Sequence, residues 1–225
     1  MPNGELPQSW WSTHDGQPLS TPFDEANLIS VVMHDTPKWQ LRRRLAAARR
    51  AVPAAVREAE AAALAAALIT APLLPGLPGT VCAYWPVGSE PGSPELLDGL
   101  VRRGCRVLLP VVALPLDWAE YTGRKSLRAG PLGLLEPTEP RLGCAAIACA
   151  VLVLVPALAV DQNGIRLGRG GGHYDRTLLL ATPGTPLVAI VRDEEVVPSL
   201  PVEPHDVPVT AALTPGRGLL PLGSS

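Results

Sequence analysis

The stretch Ala145–Arg176, AAIACAVLVLVPALAVDQNGIRLGRGGGHYDR, decides the fold. Its first part, Ala145 to Val155, is an unbroken apolar run with Val151, Val153 and Val155 at alternate positions. Such a run predicts a strand buried on both faces, as parallel sheets have at their centre. Pro156 follows it, and the chain then enters a segment in which Gly168, Gly170, Gly171 and Gly172 stand among Arg166, Arg169 and Arg176. Glycines let backbone N–H groups approach an anion, and a helix opening behind them would add its positive end. Guanidinium forks match phosphate oxygens. A buried strand that delivers its chain to such a turn points to an α/β domain with a phosphate site at the strand ends.

The flanking sequence extends that pattern. Upstream, Thr36 can cap and Pro37 can open an Arg/Ala/Leu-rich helix reaching about Ala51. A second, Ala-rich helix follows from Ala54 to Ile69 with Leu64 and Leu68 on one stripe, and the stretch Pro72–Gly79 ends it. Strand and helix then alternate: Val81–Trp85 as strand, Ser93–Arg103 as a capped helix closed by Gly104, Arg106–Val112 and Leu116–Tyr121 as strands. A Pro/Gly-rich excursion, Gly130–Gly143, precedes the decisive stretch. Behind it come a helix at Thr177–Ala181 and strands at Leu187–Val191 and Val207–Leu213. The expected architecture is a three-layer, Rossmann-like α/β domain with a mixed, largely parallel sheet and helices on both faces. It would occupy residues 36–218, between a flexible leader over 1–35 and a flexible tail over 219–225.

Composition narrows the function classes. The 225 residues suit one core, and with only nine aromatic residues it must be built from Ala, Val, Leu and Ile. A net charge of −2 gives no general attraction to nucleic acid or acidic membranes. The cluster Arg42, Arg43, Arg44, Arg49 and Arg50 reads as a solvated helix face whose members can still serve an anionic ligand. Cys82, Cys105, Cys144 and Cys149 lack C-x-x-C spacing, so buried free thiols are expected rather than zinc or disulfides. No apolar run reaches the ~20 residues of a membrane span. A soluble, cytoplasmic monomer acting on small molecules is expected.

Within the glycine segment no Gly-Lys-Ser/Thr follows, and His173 stands where G-x-G-x-x-G needs its last glycine. Neither a Walker loop nor a dinucleotide fingerprint is present. Asp175 beside a polyphosphate suits a Mg²⁺ ligand, since that ion takes one or two carboxylates plus phosphate oxygens and water. His173 and Tyr174 can stack, bond a phosphate or close the pocket.

Arg166-Leu167-Gly168-x-Gly170-x-Gly172-x-Tyr174-Asp175 after an apolar strand resembles the signature of the 5-formyltetrahydrofolate cyclo-ligase family. Lys38-x-x-Leu41-Arg42, Tyr84-x-Pro86-x-x-x-Glu90 and Pro201-Val202-Glu203-Pro204-His205-Asp206 occur in that family's order, and the similarity runs from about Pro37 to about Gly218. The resemblance implies closure of 5-formyltetrahydrofolate to 5,10-methenyltetrahydrofolate, with ATP as co-substrate hydrolysed to ADP and phosphate. It also implies roles. ATP would be held by Lys38, Arg42, Arg166, Leu167, Gly168, Arg169, Gly170, Gly171, Gly172, His173 and Tyr174. The folate would meet Trp85, Glu90 and the segment Arg169–His173, and Mg²⁺ would meet Asp175 and Asp206. Glu90, Arg166 and Asp175 are the expected catalytic set. Arg169 and His173 stand where many bacterial members have aromatics, and Glu195 stands where the family resemblance leads one to expect Gln. Two alternatives keep parts of this reading: a paralogous ATP-dependent ligase acting on a non-folate amide or carboxylate, and a non-catalytic folate- or nucleotide-binding protein. Asp175→Ala is expected to keep the fold and lose activity, as a surface carboxylate adds little stability.

Overall fold

A computed structural model of the chain describes residues 37–70 and 78–223. The leader over 1–35, the cap at Thr36 and most of the Pro72–Gly79 stretch lie outside them. Helix α1, Lys38–Ala51, stops where Val52, preceding Pro53, takes extended backbone, because a proline disfavours the α region for its predecessor. Helix α2, Ala54–Thr70, buries Leu64 and Leu68 four residues apart on one stripe. Helix α3, Pro94–Arg102, opens on Ser93, whose side chain accepts from Leu96 N at 3.3 Å, with Pro94 in the first turn.

The strands are β1 Thr80–Cys82, β2 Arg106–Val111, β3 Asp117–Glu120, β4 Leu127–Ala129, β5 Leu135–Pro137, β6 Ala150–Pro156, β7 Ala159–Asp161, β8 Arg166–Leu167, β9 Leu187–Ile190, β10 Val196–Val197, β11 Ala211–Thr214 and β12 Gly218–Pro221. A short helix α4, His173–Leu178, follows the glycines. Seven strands form the main sheet in the order β12-β11-β9-β6-β1-β2-β3. Its five central strands are parallel, and β3 and β12 close the borders antiparallel. Helices α2 and α3 pack on one face through Leu64, Leu68, Leu97 and Leu100. The other face is covered by α4 and the 3₁₀ segment Cys144–Cys149, through Leu178 and Ile147. This is the expected three-layer architecture. A second small core joins Leu41 and Leu45 of α1 to a three-stranded sheet, β10-β7-β8, that carries the glycine segment.

Several boundaries differ from expectation. The run from Ala145 is strand only from Ala150: the Ala-rich start forms the 3₁₀ segment, and the valines carry the strand. Strand β1 ends at Cys82 rather than Trp85, because Tyr84–Pro86 turn off the sheet and Tyr84 OH donates to Pro91 O at 2.7 Å. The last parallel strand begins at Ala211, beyond Pro208, which has no N–H to give a ladder. The excursion Gly130–Gly143 is not all loop, since β5 pairs antiparallel with β4. The helix behind the glycines starts at His173, not Thr177. Strand β12 runs past Gly218, so the folded domain extends into what was expected to be a flexible tail.

In the order of the central strands, β1 lies between β2 on one side and β6 on the other. The connections after β1 and β6 therefore leave the sheet in opposite directions. The crevice between their carboxyl ends is where open α/β sheets bind ligands.

Candidate active site

The segment after β1 (Tyr84–Glu90), the exit of β6 (Pro156–Leu158), the glycine segment, the start of α1 and the turn Glu203–Asp206 all border one cavity of about 350 Å³. Among the expected site residues, every one but Leu167 lines it. Leu167 is a correction: its side chain lies in the small core at 1% exposure, and its carbonyl accepts from Leu158 N at 2.8 Å. Its side chain is therefore turned away from the cavity.

Part of the cavity lining is charged. Arg166, 6% exposed, pairs through NH2 with Asp175 Oδ1 at 2.5 Å, and its guanidinium lies 5.9 Å from the centre of the Tyr174 ring. Lys38 Nζ donates to Asp206 Oδ2 at 2.7 Å, and Arg42 Nε to Gly168 O at 2.9 Å. Arg169 pairs with Glu90 Oε1 at 2.9 Å, while Glu90 Oε2 accepts from Val87 N at 2.9 Å. The lining also has an apolar part, made by Trp85, Val112, Leu116, Leu134 and Leu135. The β5 part of that wall is held by buried Glu136, whose Oε1 accepts from Val112 N at 2.8 Å. A cavity with charged and apolar lining suits an anionic co-substrate next to a flat organic one.

The glycine segment is shaped by its neighbours. Gly170 has φ +100°, and a Cβ there would press on the Arg42 guanidinium at 3.4 Å. A Cβ on Gly171 would lie 2.6 Å from His173 Nδ1, so the imidazole lies across that glycine. Helix α4 has only six residues, so the dipole that sequence reasoning invoked is small beside the formal charges of the arginines. The hairpin carrying Arg166 is braced by Asp161, whose carboxylate accepts from Asn163 N, Ile165 N and Leu200 N at 2.9, 2.9 and 3.0 Å.

Two polar atoms in this region are buried without a partner, Arg166 Nε and Tyr174 OH. Burial, reinforced by the negative charge of Glu90, raises the Tyr174 hydroxyl well above its ordinary range. It therefore stays protonated, a donor available to a bound acceptor. Tyr84 is raised for the same leading reasons, but its proton already serves Pro91 O.

The two expected metal ligands do not form one cluster. Asp206 groups with Glu203 and His205, whose ligand atoms all lie within 4.8 Å of one another, and Asp175 stands outside that group, engaged by Arg166. Sequence reasoning missed Arg49, which borders the cavity at 3% exposure instead of lying on a solvated face with Arg43, Arg44 and Arg50. Its spacing of seven from Arg42, two helical turns on the same side, was the available signal. The expectation of four buried thiols holds for Cys82 and Cys105, whereas Cys144 is half-buried and Cys149 exposed.

The model of the 5-formyltetrahydrofolate cyclo-ligase family matches residues 34–215. The 5-formyltetrahydrofolate cyclo-ligase of Mycolicibacterium smegmatis is 50% identical over 200 residues, covering 84% of this chain and all of that relative. The Escherichia coli K12 protein of the same name is 33% identical over 143 residues, covering 61% of this chain and 79% of its own length. Among solved structures, the 5,10-methenyltetrahydrofolate synthetase of Aquifex aeolicus superposes with a TM-score of 0.71 at 24% identity, over 84% of this chain and 94% of that one. The corresponding Mycoplasma pneumoniae synthetase gives 0.63 at 18% identity, over 79% and 98%. These two likenesses support the fold.

Proposed function

The chain belongs to the 5-formyltetrahydrofolate cyclo-ligase family, and from that premise we propose that it closes 5-formyltetrahydrofolate to 5,10-methenyltetrahydrofolate in this cavity at the expense of ATP. The observation that carries the proposal is convergence. Four segments far apart in sequence, at 38–42, 84–90, 166–175 and 203–206, meet at one cavity whose lining combines cationic and apolar groups.

The chemistry explains why both kinds of group are needed. A formamide carbon is a poor electrophile and its oxygen a poor leaving group. The formyl oxygen attacks the γ-phosphorus of ATP, the O–P bond forms, and the bond to ADP breaks. The neighbouring folate nitrogen then attacks the activated carbon and loses its proton, and the C–O bond breaks to release phosphate. In this reading Lys38, Arg42 and Arg166 hold the phosphates in line and neutralise charge as it moves. Trp85 and the leucines beside it take the folate ring, and Glu90, steadied by Val87 N and Arg169, orients the reacting end. The Tyr174 hydroxyl supplies a donor with no competing protein partner.

Mg²⁺ fits the oxygen donors on hand. Asp206 would hold it with phosphate oxygens and water, and Asp175 could join once Arg166 turns to a phosphate; the ion would screen the triphosphate charge. Among the described residues no helix is long and apolar enough to cross a membrane.

The test is to incubate the purified chain with 5-formyltetrahydrofolate and Mg-ATP while following methenyl absorbance and ADP together. One ADP per methenyl product is the expected result. Turnover of ATP only with another amide or carboxylate would move the chain to a paralogous ligase, and no turnover with retained binding would make it a binder.

A further inference from the structure

A buried charge network lies beneath the cavity, in a place the reaction above does not use. Arg49, near the end of α1, donates Nε to Glu195 Oε1 and NH2 to Glu195 Oε2, both at 2.7 Å, and NH2 also reaches Ala157 O at 2.5 Å. Both side chains are about as buried as the core, at 3% and 4% exposure. Glu195 Oε2 further accepts from Arg192 N at 2.8 Å. The Arg192 side chain, 2% exposed, donates to Glu60 of α2 at 2.8 Å and to Ser89 O at 3.4 Å. The network thus ties α1, α2, the exit of β6 and the residue before Glu90 into one unit.

Lys38, Arg42 and Arg49 stand at i, i+4 and i+11, within about 40° of one another around the helix. The fully buried side chains of α1 are Leu41, Leu45 and Arg49. Leu41 and Leu45 pack in the small core through non-directional apolar contacts, whereas a bidentate guanidinium–carboxylate pair is directional. On nucleotide binding, Lys38 and Arg42 must leave Asp206 and Gly168 O for phosphate oxygens, while Arg49 keeps its partners. Burial alone would disfavour the Arg49 charge, and Glu195, joined by the smaller influences of Tyr84 and Glu90, more than offsets it.

We propose that Arg49 and Glu195 are positioning residues: their buried pair fixes the rotation of α1 so that Lys38 and Arg42 face the nucleotide phosphates. Glu195, which stands where the family resemblance leads one to expect Gln, makes this anchor an ion pair. The proposal rests on the cavity holding ATP.

The test uses the full chain with Arg49→Lys, Glu195→Gln and both together. Each single change keeps side-chain size but breaks the matched fork. The expected result is a rise of about tenfold or more in KM for ATP, exceeding any fall in kcat, with a parallel loss of ADP affinity by calorimetry. The double variant should be no worse than the worse single one, since the pair acts as a unit. Lower melting temperatures with ADP affinity within about twofold of wild type would overturn the proposal and leave the pair a mere structural brace. Should Arg49→Lys not fold, Glu195→Gln alone decides by the same readings. A wild-type chain that binds no nucleotide would overturn the cavity assignment, and this inference with it.

Discussion

Asp175→Ala separates two views of the Arg166–Asp175 pair. Sequence reasoning treats Asp175 as a surface carboxylate of little consequence for stability. In the structure its carboxylate compensates a guanidinium only 4% exposed, whose Nε already lacks a partner, and Asp175 itself is 17% exposed. Removing one member of a buried pair costs about 3–5 kcal/mol, because the other charge is left stranded. Partial access of water to Asp175 reduces that to about 2–3 kcal/mol. For a domain of this size each kcal/mol moves Tm by roughly 2–4 °C, so the variant should melt about 4–12 °C below wild type. Saturating ADP with a chelator present offers Arg166 new anionic partners, and should raise the variant's Tm by more than it raises that of wild type. Turnover should fall by about 10²–10³. Thermal unfolding with and without ADP, together with the coupled methenyl and ADP assay, reads all three. Arg166→Met combined with Asp175→Ala should recover most of the lost stability, since no stranded charge remains. A single variant within about 2 °C of wild type, or one that ADP stabilises less than wild type, would refute the reasoning.

Glu90→Gln should lower kcat/KM for the folate by about 10²–10³ while changing KM for ATP little, since Glu90 pairs with Arg169 at the mouth and borders the apolar wall. Gly170→Ala places a methyl against the Arg42 guanidinium in a backbone conformation that L residues rarely adopt; steady-state kinetics should show a several-fold rise in KM for ATP and thermal unfolding a loss of about 1–2 kcal/mol. Alkylation of the native chain at pH 8 followed by peptide mass spectrometry should modify exposed Cys149 first and leave Cys82 and Cys105 untouched until unfolding, because burial raises the Cys82 thiol far above its ordinary range.

The layers of the fold were legible because they depend on periodicity. Val153 and Val155, alternating with Leu152 and Leu154, announce a two-sided strand, and Leu64 with Leu68 a helix stripe, and all six are buried in the structure. What escaped was set by distant partners. Nothing local marks Leu127–Pro137 as a ribbon held by Glu136 against β2. The site was legible where glycines and charges are crowded in sequence, as at Arg166–Asp175. Arg49 and Glu195 were not, since an arginine in an Arg-rich helix looks solvated until a carboxylate 146 positions away is seen to bury it.

Lys38 with Asp206, Arg166 with Asp175 and Arg169 with Glu90 give the resting cavity its own set of internal counter-ions. Filling it is then an exchange of anions rather than a simple capture: each phosphate oxygen that takes a cation sets a carboxylate free. In the proposed reading two of the carboxylates so released, Asp175 and Asp206, would become available to a divalent ion, although they do not share one cluster in the resting cavity. Titration calorimetry should accordingly find Mg²⁺ bound weakly by the empty chain and at least about tenfold more tightly beside ADP. Equal affinity in the two states would show that these pairs stay closed throughout.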